Sequence, residues 1–296
     1  MILRSMYGVG DCLHQRAVVR EMMKREKRVV LETFYYAPYH DLVEQGLFLN
    51  AIPGIKPRIR ERTPLTFKSA KVPPDKPRIK VSYDPERIHK AGSILAAQFD
   101  SVGLDMPPDP DFSLPVPSQW RQWAREAIGK TDRPLLVYRP IVLNGVWRAE
   151  ARAPDPTTYR QLFRTLSHRY HVVSVANLGD AGEHVVGEEE RYIDTNFNHG
   201  ELDFETMSGL FAEADLVFTC PGIAAVLAQA VGTRTVIVYG ANECHRTTNC
   251  VGDHLAPTLA IEPDIPCDHH MKNCDCSKFI SMPPALARLE EFTCAS

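Results

Sequence analysis

The chain reads as an α/β protein built from two doubly wound, Rossmann-like domains that face each other across a cleft. Three observations predict this. Short apolar runs of strand length alternate with helix-periodic segments in both halves of the sequence. A Gly-rich turn, Tyr7-Gly8-Val9-Gly10-Asp11, follows directly on the apolar run Met1–Met6, where a first strand would hand over to a helix. At 296 residues and 44% hydrophobic content, the chain has the length and the apolar material for two cores. The expected division is residues 1–132 and 133–296, with a linker near Gly129–Arg133.

The first half begins with a strand over residues 1–6 and a helix over 12–25. In that helix Leu13/Ala17 and Val18/Met22 form an apolar face, while Arg16, Arg20 and Lys24 repeat every four residues on another. Asp11 would open the helix, either as an ordinary N-cap or as a carboxylate presented to the cleft. A strand over 28–34 follows, then an irregular basic segment rich in proline. Pro85–Gln98 reads as one helix through Ile88, Ala91, Ile94, Leu95 and Gln98. Met106–Pro117 is broken by prolines into a loop, and Ser118–Ile128 is a short helix.

The second half opens with the strand Pro134–Arg139. Tyr159, Leu162, Phe163, Leu166 and Tyr170 follow a helical series, leading into the strand His171–Asn177. Phe204, Met207, Phe211 and Ala214 mark a helix that feeds the strand Leu216–Thr219. A helix over about Ile223–Val231 then returns as the strand Thr235–Tyr239, ended by Gly240.

Charge is unevenly distributed. Residues 1–140 carry 23 Lys and Arg against 16 Asp and Glu, whereas residues 141–296 carry 11 against 21, so a net +7 faces a net −10. The positive charge peaks in Lys56, Arg58, Arg60 and Arg62 and continues through Lys68, Lys71, Lys76, Arg78 and Lys80, the footprint expected of a surface that meets a polyanion. Aromatic residues stand nearby, Tyr36 and Tyr39 beside His40 among them, and stacking side chains with Lys and Arg suit an extruded nucleobase and its phosphates. No apolar stretch approaches the roughly 20 residues that cross a bilayer, and the start lacks the apolar core of a secretion signal, which predicts a soluble, cytoplasmic protein without stable membrane insertion.

Two segments resemble the heptosyltransferase-like glycosyltransferases of family 9, which have the GT-B fold. They are Gly8-Val9-Gly10-Asp11-Cys12-Leu13-His14 and Leu210–Gly240, the latter similar to that family's donor-domain segment in order, spacing and ending. The resemblance implies an inverting, metal-independent transfer of a sugar from a nucleotide diphosphate, with Asp11 as the base that deprotonates an acceptor hydroxyl. It implies a donor site made of Gly8, Val9 and Gly10, Arg148 or Arg152 for the diphosphate, Gly222, Ile223 and Ala224 at a helix N-terminus, and the loop Gly240-Ala241-Asn242-Glu243. Family members usually carry Asp-Ser/Thr-Gly and a His at that helix head. Here Cys220-Pro221-Gly222-Ile223-Ala224-Ala225 lacks both the Asp and the His, so the sugar contacts do not carry over.

For the acceptor, the basic first half favours DNA bearing hydroxymethylated pyrimidines, by analogy with phage-type DNA glycosyltransferases of GT-B fold, which would act in the host cytoplasm. Lys56, Arg58, Arg60, Tyr36, Tyr39 and His40 are the residues that would hold it. A lipopolysaccharide core or another surface glycan is the alternative acceptor. A noncatalytic nucleotide- or nucleic-acid-binding protein is the alternative of another class. No cofactor is expected beyond the nucleotide sugar itself. Six of the eight cysteines lie in the tail, and Cys267, Cys274 and Cys276, with Cys294, are compatible with structural zinc; the spacing is not a standard knuckle, and unligated thiols are the leading expectation.

Overall fold

The computed structural model describes residues 1–54, 57–62, 69–143, 152–176, 178, 183–186, 190–241, 244, 254–267 and 274–294. The first unit runs β1 (Ile2–Arg4), α1 (Val9–Arg25), β2 (Val30–Thr33), a 3-10 turn (Ala37–Tyr39) leading into α2 (His40–Glu44), β3 (Phe48–Ala51), β4 (Ile79–Lys80), α3 (Pro85–Ala91), α4 (Ile94–Ser101) and α5 (Ser118–Ile128). Its strands form one parallel sheet in the order β3-β2-β1-β4.

The second unit runs β5 (Leu135–Tyr138), β6 (Ile141–Leu143), α6 (Pro156–Ser167), β7 (His171–Val175), β8 (His184–Val186), β9 (Thr195–Phe197), α7 (Phe204–Glu213), β10 (Leu216–Thr219), α8 (Ile223–Ala230), β11 (Thr235–Val238), β12 (Thr258–Ile261) and α9 (Met282–Cys294). Six strands form the parallel sheet β12-β11-β10-β5-β7-β9, and β6 pairs antiparallel with β8 beside it. The strand order reverses between β5 and β10, the switch point at which open sheets of this kind open a crevice.

Most predicted elements stand within a residue or two of their expected limits. The segment Pro85–Gln98 does not form one helix. Gly92, at φ 87°, takes the left-handed conformation that ends α3, and the Ser93 hydroxyl accepts from the Ala96 N–H to begin α4. Two short elements in the basic segment, β3 and β4, were not anticipated. Tyr170 falls beyond the end of α6, whose buried stripe is Tyr159, Leu162, Phe163 and Leu166.

One apolar cluster runs through both units, joining Leu3, Leu13 and Leu31 to Val137, Val217 and Leu227 through Trp120 and Phe204. Helix α5 lies on α7 so closely that a Cβ on Gly209 would strike the Trp120 carbonyl. The two sheets are therefore held by shared packing rather than by a bare linker, which fixes how their carboxyl ends face each other.

Candidate active site

The turn after β1 has Gly8 at the N-cap of α1, and Asp11 in the first helical turn. Asp11 is thus not the cap. Its carboxylate folds back over the turn, so that a Cβ added at Gly8 would lie 2.5 Å from its Oδ2, and the glycine is what leaves room for it. The Tyr83 hydroxyl donates to Asp11 Oδ1 at 2.8 Å. Burial pushes the Asp11 carboxyl up to about 6, against the opposing pull of the Tyr83 hydrogen bond and the Arg152 charge. A carboxylate near 6 stands at the lower edge of the range in which a general base works at neutral pH.

The surrounding groups fix this turn from several sides. Gln98 donates to the Asp11 carbonyl at 3.3 Å, and the Tyr39 hydroxyl donates to the Cys12 carbonyl at 3.1 Å. The amide N–H of Met6 donates to Gln15 at 3.3 Å. Across the seam, a Cβ at Gly10 would sit 3.4 Å from the Ile223 Cα, so the N-termini of α1 and α8 meet at contact distance. Gly222 caps α8 with φ 150° and ψ −161°, a conformation essentially confined to glycine. No side chain caps that helix. The α8 N-terminus thus lies against the turn that carries Asp11, and a helix N-terminus without a side-chain cap attracts anions.

The structure thus brings together Gly8, Gly10, Asp11, Arg152, Gly222 and Ile223. Other predicted donor residues play different parts. The side chains of Val9, Ala224 and Ala241 are buried, the first two within the main core cluster. Gly240 is buried too, and a Cβ there would run into the Arg152 carbonyl, so its role is to admit the backbone that carries Arg152. Arg148, Asn242 and Glu243 lie outside the described residues.

Sequence reasoning missed two side chains here. Tyr83 sits in a loop 72 residues from Asp11, and nothing local marks it as the partner of that carboxylate. Arg139 ends β5 at the switch point, where it donates to the Val175 carbonyl at 2.9 Å; burial pulls its guanidinium below the ordinary value, with Cys220 the first of the nearby groups that counteract it. A cation closing an otherwise apolar strand was the available signal for Arg139.

Several residues expected at the acceptor surface have partners within this chain. Arg58 pairs with Glu183, Arg60 donates to the carbonyls of Gly200 and Glu201 at 3.1 and 2.9 Å, and the amide of Arg62 donates to Glu205 at 2.9 Å. The Arg60 carbonyl accepts from the Phe204 N–H at 2.9 Å, at the head of α7. The segment 58–62 is a strap that ties the first unit to the second, and its charges meet carboxylates and carbonyls of this chain, which a phosphate backbone would have to displace. Arg78 likewise spans both Glu32 oxygens at 2.9 and 3.2 Å. Tyr39 is fully buried, and His40 holds the Ala37 carbonyl at 3.0 Å and packs against Trp120 at 4.7 Å between ring centroids. Tyr39 belongs to the core, where burying an aromatic side chain is worth about 2–3 kcal/mol and no open face remains for a base, while His40 is half-buried with one face against Trp120. Tyr36 is half-buried, and its backbone N–H donates to Glu61 at 2.6 Å. Lys56 lies outside the described residues.

No protein-family model and no curated protein matches this chain. Among solved structures it is similar to the ADP-heptose LPS heptosyltransferase II of E. coli, at 13% identity over 99% of this chain and 98% of that one, with a TM-score of 0.58. A family 9 glycosyltransferase from Veillonella parvula is 11% identical over 100% and 97% of the two chains, at a TM-score of 0.58. The iron-containing dodecameric glycosyltransferase TibC of enterotoxigenic E. coli is 13% identical over 100% of this chain and 78% of that one, at a TM-score of 0.61. These likenesses establish the GT-B fold. Among the described residues no helix is long and apolar enough to cross a membrane.

Proposed function

We propose that this chain is an inverting glycosyltransferase that moves a sugar from a nucleotide diphosphate to a hydroxyl of a glycan. The single observation that carries the proposal is Asp11: a desolvated carboxylate, hydrogen-bonded by Tyr83 and within electrostatic reach of Arg152, set where the N-termini of α1 and α8 meet. The names of the similar structures add weight, since they are glycosyltransferases and one is an ADP-heptose LPS heptosyltransferase. Residues 1–132 would receive the acceptor and residues 133–296 the donor, as part of the same proposal.

Asp11 accepts the proton of the acceptor hydroxyl as its oxygen attacks the anomeric carbon, and the bond from that carbon to the diphosphate breaks on the opposite face. Arg152 and Arg139, with the N–H groups that open α8, oppose the negative charge that builds on the leaving diphosphate. Tyr83 holds Asp11 in place, and Gly8 keeps the space that the carboxylate occupies. None of these steps routes through a metal ion at the reacting atoms.

The nucleic-acid acceptor loses most of the residues that carried it, because Arg58 and Arg60 are committed to the strap and Tyr39 to the core. A glycan hydroxyl, of the lipopolysaccharide-core or surface-glycan type, needs no such track. Mass spectrometry tests this directly: the protein is incubated with a panel of nucleotide sugars, ADP-heptose included, and with either a lipid-core acceptor or hydroxymethylcytosine DNA. A mass gain of one sugar on the glycan supports the proposal. A gain confined to the DNA returns the acceptor to nucleic acid, and no gain or donor hydrolysis with any pair rejects the enzyme reading.

A further inference from the structure

Three cysteines converge away from the cleft. Cys267, Cys274 and Cys276 belong to the segment that leaves the carboxyl end of β12 and returns to α9, and their sulfurs all lie within 4.8 Å of one another. The Sγ atoms of Cys267 and Cys274 are 3.6 Å apart. That is far beyond a disulfide bond of about 2.05 Å. It is close to the spacing of about 3.8 Å that a tetrahedral ion imposes on two sulfurs at about 2.3 Å from it.

The segment has little else to hold it. Between Glu262 and Ser281 the described residues form no helix or strand. Its ends are pinned by Asp264, whose N–H donates to the Phe279 carbonyl at 2.9 Å and whose carboxylate accepts from the Ser281 N–H at 3.0 Å. Ile280 is buried in the core of the second unit and anchors the end next to α9, whereas Ile265 and Phe279 are 68% and 66% exposed, so hydrophobic burial holds that end and not the stretch that carries the cysteines. A covalent or coordinate staple does this work in segments that lack a core.

The geometry points to a structural cation site in which Cys267, Cys274 and Cys276 bind, as thiolates, one tetrahedral divalent ion of the zinc or ferrous class. Each thiol gives up its proton to solvent as the ion binds, with no change of oxidation state. Soft thiolate ligands exclude magnesium and calcium. Cys294, the fourth cysteine considered from sequence, stands apart: it is exposed, at the end of α9, with its sulfur 3.8 Å from Arg169 Nη1. The site is structural rather than catalytic, because β12 is the edge of its sheet and β11 separates it from β10, the strand that leads to Gly222.

Elemental analysis of the full chain, purified under reducing conditions without a metal-binding tag, tests the site. About one equivalent of zinc or iron per chain is expected, with the element found deciding between the two. Cys274→Ser with Cys276→Ser should lower that content about tenfold or more, while Cys294→Ser leaves it unchanged. A measurement on the wild-type protein guards against a variant that fails to fold: modifying its thiols with a mercurial, in the presence of a chromogenic chelator, should release the same equivalent. The inference is overturned by wild-type protein that holds neither metal as isolated, by retention of the metal in the double variant, or by a Cys267–Cys274 disulfide in the reduced preparation.

Discussion

Asp11 and Glu61 are both carboxylates lifted by burial near the seam of the two units, to about 6 and about 7 respectively, yet they do opposite things. Glu61 is closed off: the backbone N–H groups of Tyr36 and Ala37 both donate to its Oε1, at 2.6 and 2.5 Å, and its neighbours in the strap bind α7. Asp11 is half-buried at the turn beside the α8 N-terminus, with one tyrosine donor on one oxygen and an arginine within electrostatic reach. A shifted carboxylate therefore marks a site only where its other partners are left for a ligand.

The largest effect expected from this contrast is at Asp11. Asp11→Asn should lower transfer about 10²–10⁴-fold while donor affinity holds, because the proton acceptor goes and the shape stays. Stability separates this from a capping role. Holding the charged carboxylate in the folded chain at pH 8 costs about 3 kcal/mol, since its folded value lies above its unfolded one, so the stabilisation present below pH 4 is lost as pH rises through 6. Asp11→Asn should raise the melting temperature at pH 8 and leave it unchanged at pH 4, whereas loss of a cap would lower it at both. Thermal melts of the two proteins at the two pH values decide this.

Gly8→Ala comes next. The Gly8 backbone, at φ −71° and ψ 131°, suits alanine, but the new Cβ would press on the Asp11 carboxylate. Transfer should fall about 100-fold through displacement of the base, with the melting temperature held or slightly raised. A steady-state assay beside a melt checks both halves; unchanged activity would mean that Asp11 has no fixed position to lose.

How far the sequence reveals such differences depends on whether the information is local. Gly8, Gly10, Asp11 and Gly222 were legible because a turn between strand and helix needs its glycines within a few residues of the group it presents. The helical stripe of α6 was legible through its period. The break at Gly92-Ser93 was written in the sequence as a left-handed stop followed by a hydroxyl cap, but the apolar period running across it masked the signal. Tyr83 and the strap were not legible. Their partners lie 72 residues away for Tyr83 and 125 to 143 residues away for Arg58, Arg60 and Arg62, and only the folded chain reveals which charge is already engaged.

Smaller effects follow at the strap. Arg58→Glu places a like charge beside Glu183 and should lower stability by about 1 kcal/mol, by denaturant melt, without changing kcat by more than about twofold. A specific loss of kcat would restore this arginine to the acceptor site. The smallest change in transfer is expected for Glu61→Gln. Glu61 has a folded value of about 7, above its unfolded 4.5, so the stability it contributes is complete below pH 4.5 and is lost as pH rises through 7. The glutamine variant should match the wild type near pH 4.5 and melt at a higher temperature at pH 8, with transfer at saturating substrate nearly unaffected.

The pH dependence of kcat/KM, measured for the wild type and for Tyr83→Phe, tests the role of Asp11 most directly. The wild-type profile should fall tenfold per pH unit below about 6 and level off above it, because only the ionised carboxylate accepts the proton. Removing the Tyr83 hydroxyl withdraws the hydrogen bond that favours the charged form, so the Tyr83→Phe profile should move to higher pH, costing several-fold in rate at pH 7 and little at pH 9. A profile without an ionisation near 6, or one that stays in place when the hydroxyl is removed, would contradict Asp11 as the base.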